Sequence, residues 1–213
     1  EYGVANSHNI KNEGIRNGTP LEVIAKGYTY QKNDGEFPGT NLYIADNPFI
    51  QEVRDAKFIL DVGCGVGRNL PWIYENTNAV YVGLDPNEVM HEAFWKICDP
   101  KYKDRVILVK NLDELPKDLT FDVVLITFVY QHLGYRAPEG GMNITDITSE
   151  IKKYSKKNTI WFLYEHDWEE DWMNRWFVEN DINPDVYIRE YAGLVDLIDR
   201  GAHHLIIWKE TRE

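Results

Sequence analysis

"FILDVGCGVGRN", residues 58–69, decides how this chain folds. An apolar run ends in Gly63, Gly65 and Gly67. The run reads as a short strand buried on both faces, the kind that builds parallel sheets. The glycines allow a sharp turn and let the backbone approach a ligand closely. The segment "RNLPWIYENT" (68–77) then reads as a helix, with Pro71 in its first turn. A strand, a glycine turn and a helix form the opening unit of a nucleotide-binding α/β sheet.

The details of the turn separate the ligand classes. A dinucleotide fingerprint, G-x-G-x-x-G, needs its third glycine where Arg68 stands. Arginine cannot replace a glycine that permits close helix–strand packing. A P-loop would need a Gly-Lys-Ser/Thr ending, which is absent. Two carboxylates frame the turn. Asp61 ends the first strand, and Asp85 ends the second, "AVYVGLD" (79–85). A carboxylate at Asp85 can accept both hydroxyls of a ribose. Asp61 suits an amine-bearing or cationic ligand. The alternative for the two is a pair of helix caps.

Downstream, strands and helices alternate. "NEVMHEAFWKIC" (87–98) has apolar residues at helical spacing, "RVILVKN" (105–111) is a third strand, and "FDVVLITFVY" (121–130) a fourth. "NITDITSEIKKYS" (143–155) is a helix and "NTIWFLYEHD" (158–167) a fifth strand. "DWMNRWFVEN" (171–180) is helical, "DVYIREY" (185–191) a sixth strand, and "HHLIIWKE" (203–210) a seventh. This pattern implies βαβ units and a parallel sheet with helices on both faces. No full crossover separates the last two strands, so the final one is expected to run antiparallel.

Composition narrows the partners. The 213 residues carry a net charge of −12, against the basic surface that a nucleic-acid binder needs to displace counterions. The densest basic stretch, "KYSKK" (153–157), reads as a solvated helix end. Only two cysteines occur, Cys64 and Cys98, which gives no disulfide framework and fits a reducing, cytoplasmic compartment. No apolar run is long enough to span a bilayer, and no signal-peptide pattern is present. The expected partner is a small-molecule substrate, with no nucleic acid and no membrane. Oligomeric state is not legible.

"ILDVGCGVGRNL" (59–70) with "YVGLDPN" (81–87) resembles the first two motifs of class I S-adenosylmethionine-dependent methyltransferases. "VILVKNLDELP" (106–116) resembles their third motif and "FDVVLITFVYQHL" (121–133) their fourth. The resemblance covers roughly residues 55–165. It implies an α/β fold with a doubly wound, seven-stranded, mostly parallel sheet, Rossmann-like, the last strand antiparallel. It implies S-adenosyl-L-methionine as cofactor. Residues 53–213 would form the catalytic domain. Residues 1–52 would form an N-terminal cap or lid carrying Tyr28, Tyr30, Phe37 and Tyr43.

By the same resemblance, Gly63, Cys64 and Gly65 line the methionine and ribose portion, and Asp61 sits near the amino group. Asp85 binds the ribose hydroxyls, while Pro86 and Asn87 flank the adenine. Many relatives have an acidic residue where this chain has Asn111, which can still accept from the adenine amino group. Leu112 would offer a backbone amide to the ring. Thr127 and Phe128 would lie under the methionine end.

Methyl transfer from a sulfonium is an in-line displacement with a good leaving group, so alignment does most of the work. A hydroxyl acceptor also needs a base. His132, in "YQHL", titrates near neutrality, as a base should, or else packs as part of the fold. "YEHDW" (164–168) places Glu165, His166 and Asp167 at the end of the fifth strand. Asp167 reads as a helix cap, leaving Glu165 or His166 for the substrate. No spacing is a metal-ligand signature, so no metal is expected. His203 and His204 read as strand entry with alternate facing. Trp161, Trp168, Trp172 and Trp176 form either core or an aromatic wall for a planar ring or sugar.

The expected activity is methyl transfer to a hydroxyl of a small metabolite. The alternatives are a non-catalytic cofactor-binding module, a partner subunit, or a protein or peptide methyltransferase.

Overall fold

The computed structural model describes residues 47–127, 129, 144–166, 187–191 and 203–210. The expected cap lies almost wholly outside the described residues. So do Phe128, His132, Asp167, the helix expected at 171–180 and the tryptophans at 168, 172 and 176. Two compact units divide the chain between Glu114 and Leu115.

In the first unit, helix α1 (Ile50–Arg54) leads into β1 (Phe58–Val62). Then come α2 (Leu70–Asn76), β2 (Val80–Leu84), α3 (Glu88–Ile97), a 3-10 turn (Pro100–Arg105) and β3 (Val106–Val109). The strands lie in the order β3-β2-β1, all parallel, with Asp61 opposite Gly83 and Leu84 opposite Val109. Ile59, Leu60 and Val62 are buried, as are Tyr81, Val82 and Leu84 on the next strand. Adjacent positions are buried because both sheet faces are covered, which is why these strands read as apolar runs without alternation.

Helix α2 keeps Pro71 in its first turn, where the missing N–H costs no helical hydrogen bond. Its carboxyl end is held by Arg105, whose guanidinium donates to the carbonyls of Tyr74 and Thr77, each at 2.7 Å, and lies over the Tyr74 ring. A cation at that end also complements the helix dipole. Helix α3 buries Met90, Ala93 and Phe94, three and four residues apart, which is one face of a helix.

The second unit holds β4 (Phe121–Thr127), α4 (Ile144–Lys152), β5 (Ser155–His166), β6 (Tyr187–Tyr191) and β7 (His203–Lys209). Their order is β4-β5-β7-β6. β4 and β5 are parallel, and β7 runs antiparallel to both of its neighbours. The fold class is therefore the expected one: α/β, a seven-stranded, mostly parallel sheet with the last strand antiparallel.

β5 begins three residues earlier than its apolar run. Its pairing with β4 shifts register between Phe121 and Val123, and Asn158 takes φ 71° there. Asparagine tolerates that left-handed geometry better than most residues. Thr159 closes the irregularity by donating its hydroxyl to the Phe121 carbonyl at 2.7 Å. Trp161 faces Trp208 across β5 and β7, with the rings stacked at 5.4 Å and both side chains buried. That assigns Trp161 to the core.

Candidate functional site

The glycine turn is stitched to the end of β2. The amides of Gly63 and Cys64 both donate to the Leu84 carbonyl, at 2.7 and 3.2 Å. Gly63, Gly65 and Gly67 all have positive φ, at 64°, 53° and 80°. An L side chain is strained in that region. Two of the three glycines differ in what surrounds them. A Cβ on Gly67 would lie 2.3 Å from the Phe94 ring, so this glycine seats α3 against the turn. A Cβ on Gly65 would meet no described atom within 4 Å. Among the described residues the space beside Gly65 is therefore open, and next to it stands a carboxylate.

That carboxylate is Asp85, 3% exposed. Its Oδ2 accepts from the Gly65 amide at 3.0 Å and its Oδ1 from the Asn87 amide at 2.9 Å. The Asp85 amide donates to the Val109 carbonyl, so β3 also fixes the residue. His91, on α3, places Nε2 2.8 Å from the Asp85 carbonyl oxygen. Each carboxylate oxygen has a second lone pair with which to meet a hydroxyl.

Asp61 is placed differently. Both of its oxygens accept from the Asn69 amide at 3.1 Å, and Oδ2 also accepts from the Tyr81 hydroxyl at 2.6 Å. The carboxylate is 2% exposed and ties the first turn of α2 to β2. Burial pushes its carboxyl up to about 6. The hydrogen bonds from Tyr81 and Asn69 and the charge of Arg68 oppose that rise, and the Asp85 charge adds to it. Neither Asp61 nor Asp85 is a helix cap. Asn69 and Asn87 hold the N-cap positions of α2 and α3. Asn69 makes no side-chain cap bond, and its amide donates to Asp61.

The raised Asp61 carboxyl has a measurable consequence. A folded-state value of about 6 above the ordinary 3.8 means the folded form prefers the protonated acid. That contribution is fully present below about pH 4 and is lost as pH rises through 6. It amounts to about 3 kcal/mol. Asp61→Asn removes the titration, so between pH 4 and pH 7 the variant should gain about 3 kcal/mol relative to the parent. Urea unfolding at the two pH values checks this. An equal difference at both would show that Asp61 does not titrate there.

Cys64 is buried, and desolvation pushes its thiol well above its usual range, so it is no nucleophile at neutral pH. Its sulfur explains Gly83. A Cβ there would lie 2.7 Å from both Cys64 Sγ and Leu108 Cδ2. Pro86 is exposed, and Asn87 accepts from the Val89 amide as the cap of α3. Asn111 is exposed and donates its side-chain amide to Glu114 at 3.0 Å, while Leu112 is buried. The first unit thus brings together Asp61, Gly63, Cys64, Gly65, Asp85 and Asn87, with Pro86, Asn111 and Leu112 on the segments after β2 and β3.

Thr127 ends β4 in the second unit, half-buried. Glu165 and His166 end β5 and are placed by their backbone register. Asn69, Tyr81 and His91 were not singled out from the sequence. Tyr81 carries a weak signal, since parallel pairing of β1 with β2 puts it two residues before the partner of Asp61. Among the described residues no group of His, Cys, Asp and Glu could hold a metal ion, and no helix is long and apolar enough to cross a membrane.

A glycine turn, a carboxylate at the end of the next strand and a mostly parallel sheet define a nucleotide-binding α/β protein. A family model described as a methyltransferase domain matches residues 60–157. Residues 60–157 thus match a methyltransferase domain, as the resemblance of the glycine turn and of the second strand's Asp85 to class I S-adenosylmethionine-dependent methyltransferases anticipates. That methyltransferase domain supports S-adenosylmethionine-dependent activity, with S-adenosylmethionine as the cofactor.

Solved structures share the fold at low identity. The 1,6-didemethyltoxoflavin-N1-methyltransferase of Burkholderia thailandensis, with bound 1,6-didemethyltoxoflavin and S-adenosylhomocysteine, aligns at TM-score 0.64 and 15% identity. That alignment covers 99% of this chain and 93% of that one. A SAM-dependent methyltransferase from Archaeoglobus fulgidus aligns at TM-score 0.58 and 18% identity, covering 86% of this chain and 100% of that one. An O-methyltransferase family protein from Burkholderia thailandensis aligns at 0.58 and 13%, covering 89% of this chain but only 60% of that one. No curated protein gives a significant match.

Proposed function

We propose that this enzyme methylates a hydroxyl of a small molecule, perched on a cofactor site built by the first unit. The observation that carries the cofactor assignment is the open space at Gly65 beside the buried Asp85 carboxylate. The residues fit S-adenosylmethionine. Asp85 accepts from the ribose hydroxyls, and the Gly63–Gly65 backbone takes the methionine portion. Pro86 and Asn87 flank the adenine, with Asn111 and the Leu112 amide addressing its edge. Asp61 acts through Asn69 and Tyr81, holding the turn in shape and placing negative charge behind it. When bound, the cofactor supplies an electrophilic methyl group. The protein's task is to hold the acceptor in line, to exclude water and to take the hydroxyl proton.

Three features support a small hydroxyl acceptor: the net charge of −12, the sequence "TFVYQ" (127–131) where methyltransferases of DNA bases often carry Asn/Asp-Pro-Pro-aromatic, and the aromatic residues around "YEHDW". Glu165, His166 and His132 remain the first candidates for the base. The test is a panel of phenols, sugars, amines and basic peptides, with S-adenosylhomocysteine release as the readout. Turnover with hydroxyl compounds is expected. Turnover confined to amines or peptides would overturn the acceptor assignment while leaving the cofactor site intact.

A further inference from the structure

Asp85 is held at each of its polar atoms. Its amide donates to the Val109 carbonyl at 3.1 Å, its Oδ2 accepts from the Gly65 amide and its Oδ1 from the Asn87 amide. The fourth contact is at its carbonyl oxygen, 2.8 Å from His91 Nε2. A carbonyl oxygen can only accept, so Nε2 carries a proton and donates it. In the neutral ring Nδ1 is then the acceptor. Three of these four partners are backbone groups, which a substitution leaves in place. His91 is the side chain among them.

The local sequence explains why a side chain serves here. Pro86 follows Asp85 and has no N–H to contribute to the turn. Asp85 and Asn87 each accept from the amide two residues on, that of Asn87 and that of Val89, and so shape the chain into the first turn of α3. His91 lies one turn into that helix, with its own amide on the Asn87 carbonyl at 3.3 Å. From there its half-buried ring reaches back to the residue that follows β2. The Asp85 amide is thus fixed by β3 and the Asp85 carbonyl by α3. Peptide units are planar, so fixing both groups sets the two planes beside the Asp85 Cα and the direction in which its side chain leaves.

We propose that His91 is a positioning residue for the cofactor: by anchoring the Asp85 carbonyl to α3 it aims the Asp85 carboxylate at the ribose hydroxyls. The proposal rests on the cofactor site described above. The effect of His91 passes through Asp85, so it is felt in cofactor affinity and only as long as the carboxylate is present.

Calorimetry with S-adenosylhomocysteine on the full chain tests this. His91→Leu should weaken binding by about 5- to 30-fold, the effect of one lost hydrogen bond at a largely buried residue. His91→Gln, whose amide can still donate to the carbonyl, should recover most of that loss. Asp85→Ala keeps the backbone carbonyl that His91 holds and removes the carboxylate that it aims. In that background His91→Leu should change affinity by less than about twofold, while its cost in urea unfolding should be the same in both backgrounds. Two-bond nitrogen–proton NMR of the parent, with the His91 signal assigned by its loss in His91→Gln, should show the ring proton on Nε2. A proton on Nδ1 alone would overturn the proposal. So would parent-like affinity in His91→Leu, or an affinity loss of equal size with and without the Asp85 carboxylate. Absence of binding in the parent protein would instead sink the cofactor reading on which the proposal rests.

Discussion

Replacing Asp85 with alanine should weaken S-adenosylhomocysteine binding by about 2–4 kcal/mol, roughly 30- to 1000-fold. The loss has two sources. The ribose hydroxyls lose a charged acceptor, and the Gly65 and Asn87 amides lose the carboxylate that fixes them. Asp85→Asn separates these. Its single carbonyl oxygen can keep one amide bond but not the charge, so its affinity should fall between those of the parent and the alanine variant. Calorimetry on the three proteins measures the series. An alanine variant within about threefold of the parent would remove Asp85 from the site.

The largest effect on stability is expected at Gly67. Its φ of 80° is strained for alanine, at a cost of about 1–2 kcal/mol. The new methyl would also lie 2.3 Å from Phe94 Cε2 and 2.9 Å from Cδ2, an overpacking cost of about 1–3 kcal/mol. Gly67→Ala should therefore lose about 2–5 kcal/mol in urea unfolding. Phe94 also stacks on Tyr81, the residue that donates to Asp61. Combining the variant with Phe94→Ala should remove the clash and leave only the backbone strain. Simple additivity of the two losses would show that the clash is not real. Gly65→Ala gives the contrast. It should cost only the backbone strain, about 1–2 kcal/mol, because its methyl meets open space. That methyl would stand where the cofactor has to come, so affinity should fall much further than stability.

What could be read from the sequence follows from how local each constraint is. The glycine turn and Asp85 were legible because backbone geometry demands glycine within a few residues, and an apolar run marks where a strand ends. The partners of Asp61 were not, because Asn69 and Tyr81 reach it only once β1 and β2 pair in one register. That pairing ties Asp61 to its own scaffold through both residues. The start of β5 was misplaced for a similar reason. Its irregular opening depends on the φ of Asn158 and on a bond from Thr159 to another strand. His203 and His204 were legible as alternating strand residues.

The proposed cofactor site at Gly65 and Asp85 takes S-adenosylmethionine rather than a dinucleotide. Titration calorimetry with S-adenosylhomocysteine and with NADH, on the same protein preparation, tests it most directly. The homocysteine nucleoside should bind with micromolar affinity or better, and NADH should give no heat of binding. Binding of NADH with none of S-adenosylhomocysteine would contradict the account.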